Sequence, residues 1–88
     1  MYVILVYDIN LEDKNGQKIL RNVYKICKKY LIHIQNSVFE GELLESQLLK
    51  LKSELKLYIR NDKDSVIVFK SRNQKKIKKM FFGKIEDD

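Results

Sequence analysis

The N-terminus of this chain is an uninterrupted apolar run that ends at a carboxylate. Residues 1–7 read MYVILVY, and Asp8 follows directly. A short run of Val, Ile, Leu and Tyr predicts a strand buried on both faces. Ligands and chemistry in α/β folds gather where such strands end, so the position of Asp8 points to a function. An aspartate here is also common as a turn residue, and the residues taken alone favour that alternative.

Composition points to a small basic protein with a polyanionic partner. The chain has 88 residues, enough for one domain, and 18 Lys and Arg against 12 Asp and Glu give a net charge of +6. This excess of positive charge favours nucleic acid over a membrane surface as the binding partner. No apolar run approaches the length of a membrane span, and no signal peptide is recognisable. One cysteine, Cys27, excludes an internal disulfide and fits a reducing cytoplasm; we expect it to pack in the core.

Two amphipathic helices are predicted. Apolar residues recur at helical spacing over residues 17–31, with Asp13 or Asn15 as the expected N-cap. Leucines at the same spacing predict a second helix over residues 45–57, with Ser46 as a candidate cap.

Strand-like segments lie between and after these helices. Residues 32–42 alternate in polarity, which predicts two short strands or one bent strand with an irregularity at residues 36–37. A polar turn at residues 60–64 precedes a buried strand at residues 65–69. A basic segment follows, and residues 80–82 are candidates for a last strand.

The predicted order is βαββαβ with a tail. This is the ferredoxin-like α+β arrangement over residues 1–88, with about 72–88 as the tail. Right-handed crossovers place both helices on one sheet face, which leaves an apolar face without cover. We therefore expect a homodimer that packs sheet against sheet, with the two Asp8 carboxylates near each other across the twofold axis.

Three segments together resemble the signature blocks of a known family. They are YVILVYDI (residues 2–9), HIQNSVFEG (residues 33–41) and DSVIVF (residues 64–69). Their order, on a short basic chain, resembles the small CRISPR-associated spacer-acquisition protein that is second in the Cas series. The resemblance covers roughly residues 1–70.

The resemblance implies a fold, a cofactor and partners. It implies a ferredoxin-like homodimer in which Asp8 is both catalytic and the ligand of a divalent metal, Mg²⁺ or Mn²⁺, held between protomers. It implies endonuclease activity on single-stranded RNA or duplex DNA, and cooperation with a CRISPR integrase in antiviral spacer acquisition. The last strand would add to the sheet of the opposite protomer.

Further residues are assigned around Asp8. One face of the first helix is basic, and its cations would contact the phosphate backbone; a merely solvated helix face is the alternative. Asn10 would support the metal site, although a solvated loop is the alternative. Ser37 would hydrogen-bond phosphate or shape the dimer centre near Asp8, and Phe39 belongs to the core or the interface. The nucleic-acid-binding candidates are Lys14, Lys18, Arg21 and Lys25, and those beside the site or at the interface are Tyr7, Asn10, Ser37 and Phe39.

Other functions stay open from the residues alone. His33, the single histidine, is expected to be a surface strand residue rather than a general base. A toxin-like ribonuclease of the same fold and a non-catalytic nucleic-acid-binding scaffold are the alternatives to a CRISPR nuclease.

Overall fold

The computed structural model describes residues 1–72 and confirms the predicted order of elements. The predicted last strand at residues 80–82, and the tail apart from Arg72, lie outside the described residues. The elements are β1 (Tyr2–Asp8), α1 (Lys14–Tyr30), β2 (Ile32–Gln35), β3 (Val38–Glu42), α2 (Glu45–Lys56) and β4 (Ser65–Ser71).

The four strands form one antiparallel sheet in the order β2-β3-β1-β4. β1 is central and pairs with β3 on one side and β4 on the other. Each helix connects two strands that are consecutive in sequence but not adjacent in the sheet, as the ferredoxin-like arrangement requires. The apolar run of residues 1–7 therefore lies in a central strand that has a neighbouring strand on each side.

Alternate residues of β1 face opposite sides of the sheet. Val3, Leu5 and Tyr7 are buried and belong to the core cluster that includes Val23 of α1 and Leu51 of α2. The face that carries these residues is called the helix face below. Ile4, Val6 and Asp8 alternate with them and lie on the open face.

The open face is covered unevenly. Tyr2 is buried, whereas Ile4 and Val6 are half-buried. On β4, which pairs with them, Ile67 is 52% and Phe69 56% exposed. Apolar exposure on this face thus lies on β4 and on Ile32 of β2, which is 68% exposed, rather than on β1. The prediction that residues 65–69 form a buried strand is therefore wrong for the open-face side of β4.

The helix starts differ in detail from the predictions. Asp13 is the N-cap of α1, and its Oδ1 accepts the Gly16 N–H at 3.0 Å; Asn15, the other candidate, lies inside the helix. Ser46 does not cap α2, because the helix already begins at Glu45. Its N-cap is Leu44, whose N–H donates to Gln47 Oε1 at 2.8 Å. The long side chain of Gln47 thus reaches back to the helix start, as in one half of a capping box.

The expected irregularity between β2 and β3 is a tight turn. Asn36 has φ 41°, in the left-handed region that asparagine tolerates better than most residues. The pairing register shifts between His33 and Gln35. His33 Nε2 lies 2.7 Å from the Asn36 carbonyl oxygen, so this side chain supports the turn.

Candidate active site

Asp8 is the last residue of β1 and is exposed. Its neighbour across the sheet is Ser65, the first residue of β4. Because β1 is central, Asp8 lies at the middle of one end of the sheet, on the open face. This is the kind of position that the sequence predicts for a ligand-binding carboxylate.

One copy of the chain supplies few metal ligands. Among residues 1–72, no group of three or more His, Cys, Asp or Glu side chains is placed to hold a metal ion. Mg²⁺ keeps several waters and takes only one or two protein carboxylates. Asp8 therefore fits a water-rich Mg²⁺ or Mn²⁺ site, provided that a second carboxylate comes from another copy.

The Arg60 guanidinium joins the loop after β1 to the loop before β4. Nε donates to Asp64 Oδ2 at 2.9 Å, and Nη1 donates to both carboxylate oxygens of Asp13 at 2.9 Å. Nη2 donates to the Asn10 carbonyl oxygen at 2.8 Å. Asp64 also accepts the Asn10 N–H at 2.9 Å. We call these four residues, Asn10, Asp13, Arg60 and Asp64, the Arg60 clamp.

The clamp is strongly ionic. Hydrogen bonds from Lys63 and Arg60 hold the pKa of Asp13 well below its usual range. The Arg60 hydrogen bonds lower the pKa of Asp64 to about 2, and the two carboxylates raise the pKa of Arg60. The Asp64 side chain has no exposed surface. A buried carboxylate is tolerated because charged and backbone donors satisfy its oxygens.

The clamp changes the interpretation of the loop residues. Asn10 contacts Arg60 and Asp64 through its backbone, while its Oδ1 accepts the Glu12 N–H at 2.8 Å. Asp13 is occupied as the α1 cap and as the partner of Arg60 and Lys63. These residues shape the loop after Asp8.

Sequence reasoning did not identify Arg60 or Asp64 as part of the site. From the sequence, residues 60–64 are a polar turn, with Asp64 also the first residue of the block DSVIVF, and no local pattern pairs Arg60 with an acid 47 positions away. The spacing of Arg60 and Asp64, four apart, is a weak signal for an ion pair.

Several predicted site residues converge elsewhere. Beside α1, on the helix face, a cavity of about 600 Å³ opens to solvent. Arg21 and Lys25 of α1 line it together with Tyr7 and Ser37, all four named from the sequence. The other lining residues are Leu20, Tyr24 and Asn36.

The candidates Phe39, Lys14 and Lys18 do not line this cavity. Phe39 is fully buried and stacks on Tyr7 with ring centroids 5.9 Å apart, so it belongs to the core. Lys14 and Lys18 are exposed in the first turns of α1. Cys27 is buried, as expected, and burial raises the pKa of its thiol to about 12.

Comparison with known proteins identifies the family. The sequence profile of the family described as CRISPR associated protein Cas2 matches residues 1–79. The chain belongs to the Cas2 family. It is 54% identical over 87 residues to the CRISPR-associated endoribonuclease Cas2 of Fusobacterium nucleatum, covering 99% of this chain and 81% of that protein. It is 39% identical over 83 residues to the CRISPR-associated endonuclease Cas2 of Halalkalibacterium halodurans, covering 94% and 86% of the two chains.

Solved structures of Cas2 proteins share the fold. The crystal structure of Streptococcus pyogenes Cas2 at pH 6.5 superposes with a TM-score of 0.76 at 32% identity, covering 92% of this chain and all of that one. Within residues 1–72, no helix is long and apolar enough to cross a bilayer.

Proposed function

We propose that this Cas2 protein is a metal-dependent endoribonuclease that acts as a homodimer in CRISPR spacer acquisition. The observation that carries the proposal is the exposed Asp8 at the end of the central strand, in a chain 54% identical to a CRISPR-associated endoribonuclease.

Asp8 is the proposed ligand of Mg²⁺ or Mn²⁺ in this reaction. A divalent cation bound there would neutralise phosphate charge and lower the pKa of a water molecule. The chain's own residues hold the loop that follows the carboxylate and attract the nucleic-acid strand. The Arg60 clamp holds the loop that follows Asp8, and the exposed cations of α1, Lys14, Lys18, Arg21 and Lys25, supply contacts for phosphate.

A homodimer is proposed because one copy of the chain contributes a single carboxylate, that of Asp8, to the proposed metal site. The apolar side chains of the open face, Ile67 and Phe69, favour packing of sheet against sheet. Asp8 lies on this same face, so such a dimer brings two carboxylates toward one cation. In a cell, the dimer would act with an integrase protein and its DNA in the cytoplasm.

A cleavage assay on defined single-stranded RNA and duplex DNA tests this function. With Mg²⁺ or Mn²⁺ present, we expect wild-type protein to cleave RNA, EDTA to abolish cleavage, and Asp8→Asn to lower the rate on the order of hundredfold. Asp62→Asn, which changes an exposed acid of the loop before β4, makes the same charge change and should cleave like wild type.

The assay separates nuclease from scaffold. Cleavage that survives both EDTA and Asp8→Asn contradicts the proposed chemistry. If Asp8→Asn abolishes cleavage but cells that carry it together with the integrase still acquire spacers, then binding rather than cleavage is the role in acquisition.

A further inference from the structure

We infer that the cavity beside α1 is a subsite for one unpaired nucleotide, with the base inside and a phosphate at Arg21 and Lys25. The inference rests on the proposed function only in taking nucleic acid as the ligand. The other features come from the cavity itself, whose volume of about 600 Å³ lies within the range of small-molecule sites.

The wall of the cavity is aromatic and anchored in the core. The Tyr24 ring packs edge-on against Phe39, with centroids 5.6 Å apart, and against His33 at 5.1 Å. Phe39 is fully buried and also stacks on Tyr7. Leu20 adds an aliphatic surface beside Tyr24. Bases stack on such aromatic surfaces regardless of sequence.

The rim of the cavity is cationic. Arg21 and Lys25 are four residues apart on α1, so they lie on the same helix face. Both are exposed, and within residues 1–72 neither forms an ion pair. An apolar recess bordered by two cations complements a ligand with a flat apolar body and an attached anion. A nucleotide has this chemistry.

The turn between β2 and β3 adds polar groups. Asn36 carries a side-chain amide that both donates and accepts, and Ser37 carries a hydroxyl; both line the cavity. The turn is fixed by the contact of His33 Nε2 with the Asn36 carbonyl and by the Tyr7 N–H, which donates to the Ser37 carbonyl at 3.2 Å. These groups can pair with the edge of a base.

A base inside the cavity cannot be stacked and paired in a duplex. The subsite therefore favours single strands over duplexes, for RNA and DNA alike. Tyr7 lines the cavity and directly precedes Asp8. Because Tyr7 and Asp8 face opposite sides of the sheet, a strand seated there would pass around the end of the sheet to reach the carboxylate proposed for cleavage.

Binding of full-length Asp8→Asn protein to a short strand containing 2-aminopurine tests the subsite without cleavage. We expect the fluorescence of 2-aminopurine to change on binding in single-stranded RNA and DNA. Tyr24→Leu should weaken single-strand binding about tenfold and duplex binding very little. Tyr24→Phe, which keeps the ring, should stay within about twofold of the parent protein.

The inference is overturned if Tyr24→Leu weakens the binding of duplex and of single strand equally, or if it weakens the binding of neither.

Should Tyr24→Leu fail to fold, two other measurements test the subsite. Arg21→Gln with Lys25→Gln should weaken single-strand binding more than Lys50→Gln with Lys52→Gln, a pair of equal charge on α2. Photo-crosslinking of a strand containing 5-iodouracil should label a residue lining the cavity, and labels confined elsewhere would contradict it. Because none of these measurements needs cleavage, their failure is distinct from failure of the nuclease proposal.

Discussion

Asp64 is a buried side chain whose ionisation helps to hold the loop beside Asp8. It is fully buried, and it accepts hydrogen bonds from the Arg60 side chain and from the N–H of Asn10. The Arg60 hydrogen bonds lower its pKa to about 2, from 3.8. Because the folded-state pKa is the lower one, the carboxylate stabilises the fold above about pH 4, and this contribution is lost as pH falls toward 2.

Asp64→Asn tests this residue-scale account. At pH 7 we expect the free energy of unfolding to fall by about 2 kcal/mol, since the substitution removes one of the two carboxylates that pair with the partly buried Arg60 charge. The difference between wild type and Asp64→Asn should shrink as pH falls from 4 to 2. Urea unfolding at several pH values measures both effects.

Asp62→Asn provides the matched control for this prediction. Asp62 belongs to the same loop but is exposed, so its substitution should change the free energy of unfolding by less than about 0.5 kcal/mol. A pH-independent gap between wild type and Asp64→Asn would show that the ionic contact with Arg60 is not what stabilises the loop.

At the scale of elements, α1 is joined tightly to the loop that follows β1. Gly16 is buried in the first turn of α1, against that loop. A Cβ at this position would lie 2.2 Å from the Asn10 carbonyl oxygen and 2.9 Å from Leu11 Cα. Both are backbone atoms, so relief of the clash requires the loop to move. The glycine thus permits a close approach of helix and loop.

Gly16→Ala is therefore expected to destabilise the protein, although alanine usually favours a helix over glycine. We expect a loss of about 2 kcal/mol in the free energy of unfolding, as for overpacked sites. Displacement of Asn10 should also lower the cleavage rate. Gln17→Ala, at the exposed next position of α1, is the control and should be neutral or slightly stabilising. Equal stability of Gly16→Ala and wild type would refute the close approach.

At the scale of the whole molecule, the two sheet faces differ in what covers them. The helix face is covered by α1 and α2 through the shared core, apart from the cavity beside α1. The open face carries Asp8 together with the exposed Ile67 and Phe69. Large exposed apolar patches on small proteins are commonly interaction sites. The proposed second carboxylate and the cover for this patch would come from the same partner, another copy of the chain.

Phe69→Asp is expected to weaken the proposed dimer. The introduced carboxylate would be buried in the apolar interface without a cationic partner. The dissociation constant of the dimer should therefore rise at least about tenfold. Leu49→Asp, at a similarly exposed leucine of α2, should leave the dimer intact. Sedimentation analysis of the two variants decides, with circular dichroism to verify folding. Equal masses for both variants would contradict the open-face interface.

Much of the fold was predictable because its signals are local. The apolar run at residues 1–7 and the leucine spacing of α2 identify a strand and a helix without other information. The cap of α2 was predicted wrongly, since Ser46 is the usual residue type but Gln47 makes the contact. Side-chain reach, rather than residue type alone, decided that position.

The sequence by itself determined the order of elements, the place of Asp8 directly after a buried strand and the basic face of α1, since each depends on neighbours within a few residues. Only the tertiary structure decided that Arg60 and Asp64 hold the loop beside Asp8, and that Tyr7, Arg21, Lys25 and Ser37 share one cavity. Contacts between distant segments depend on how the sheet and helices pack, and no short-range periodicity records that packing.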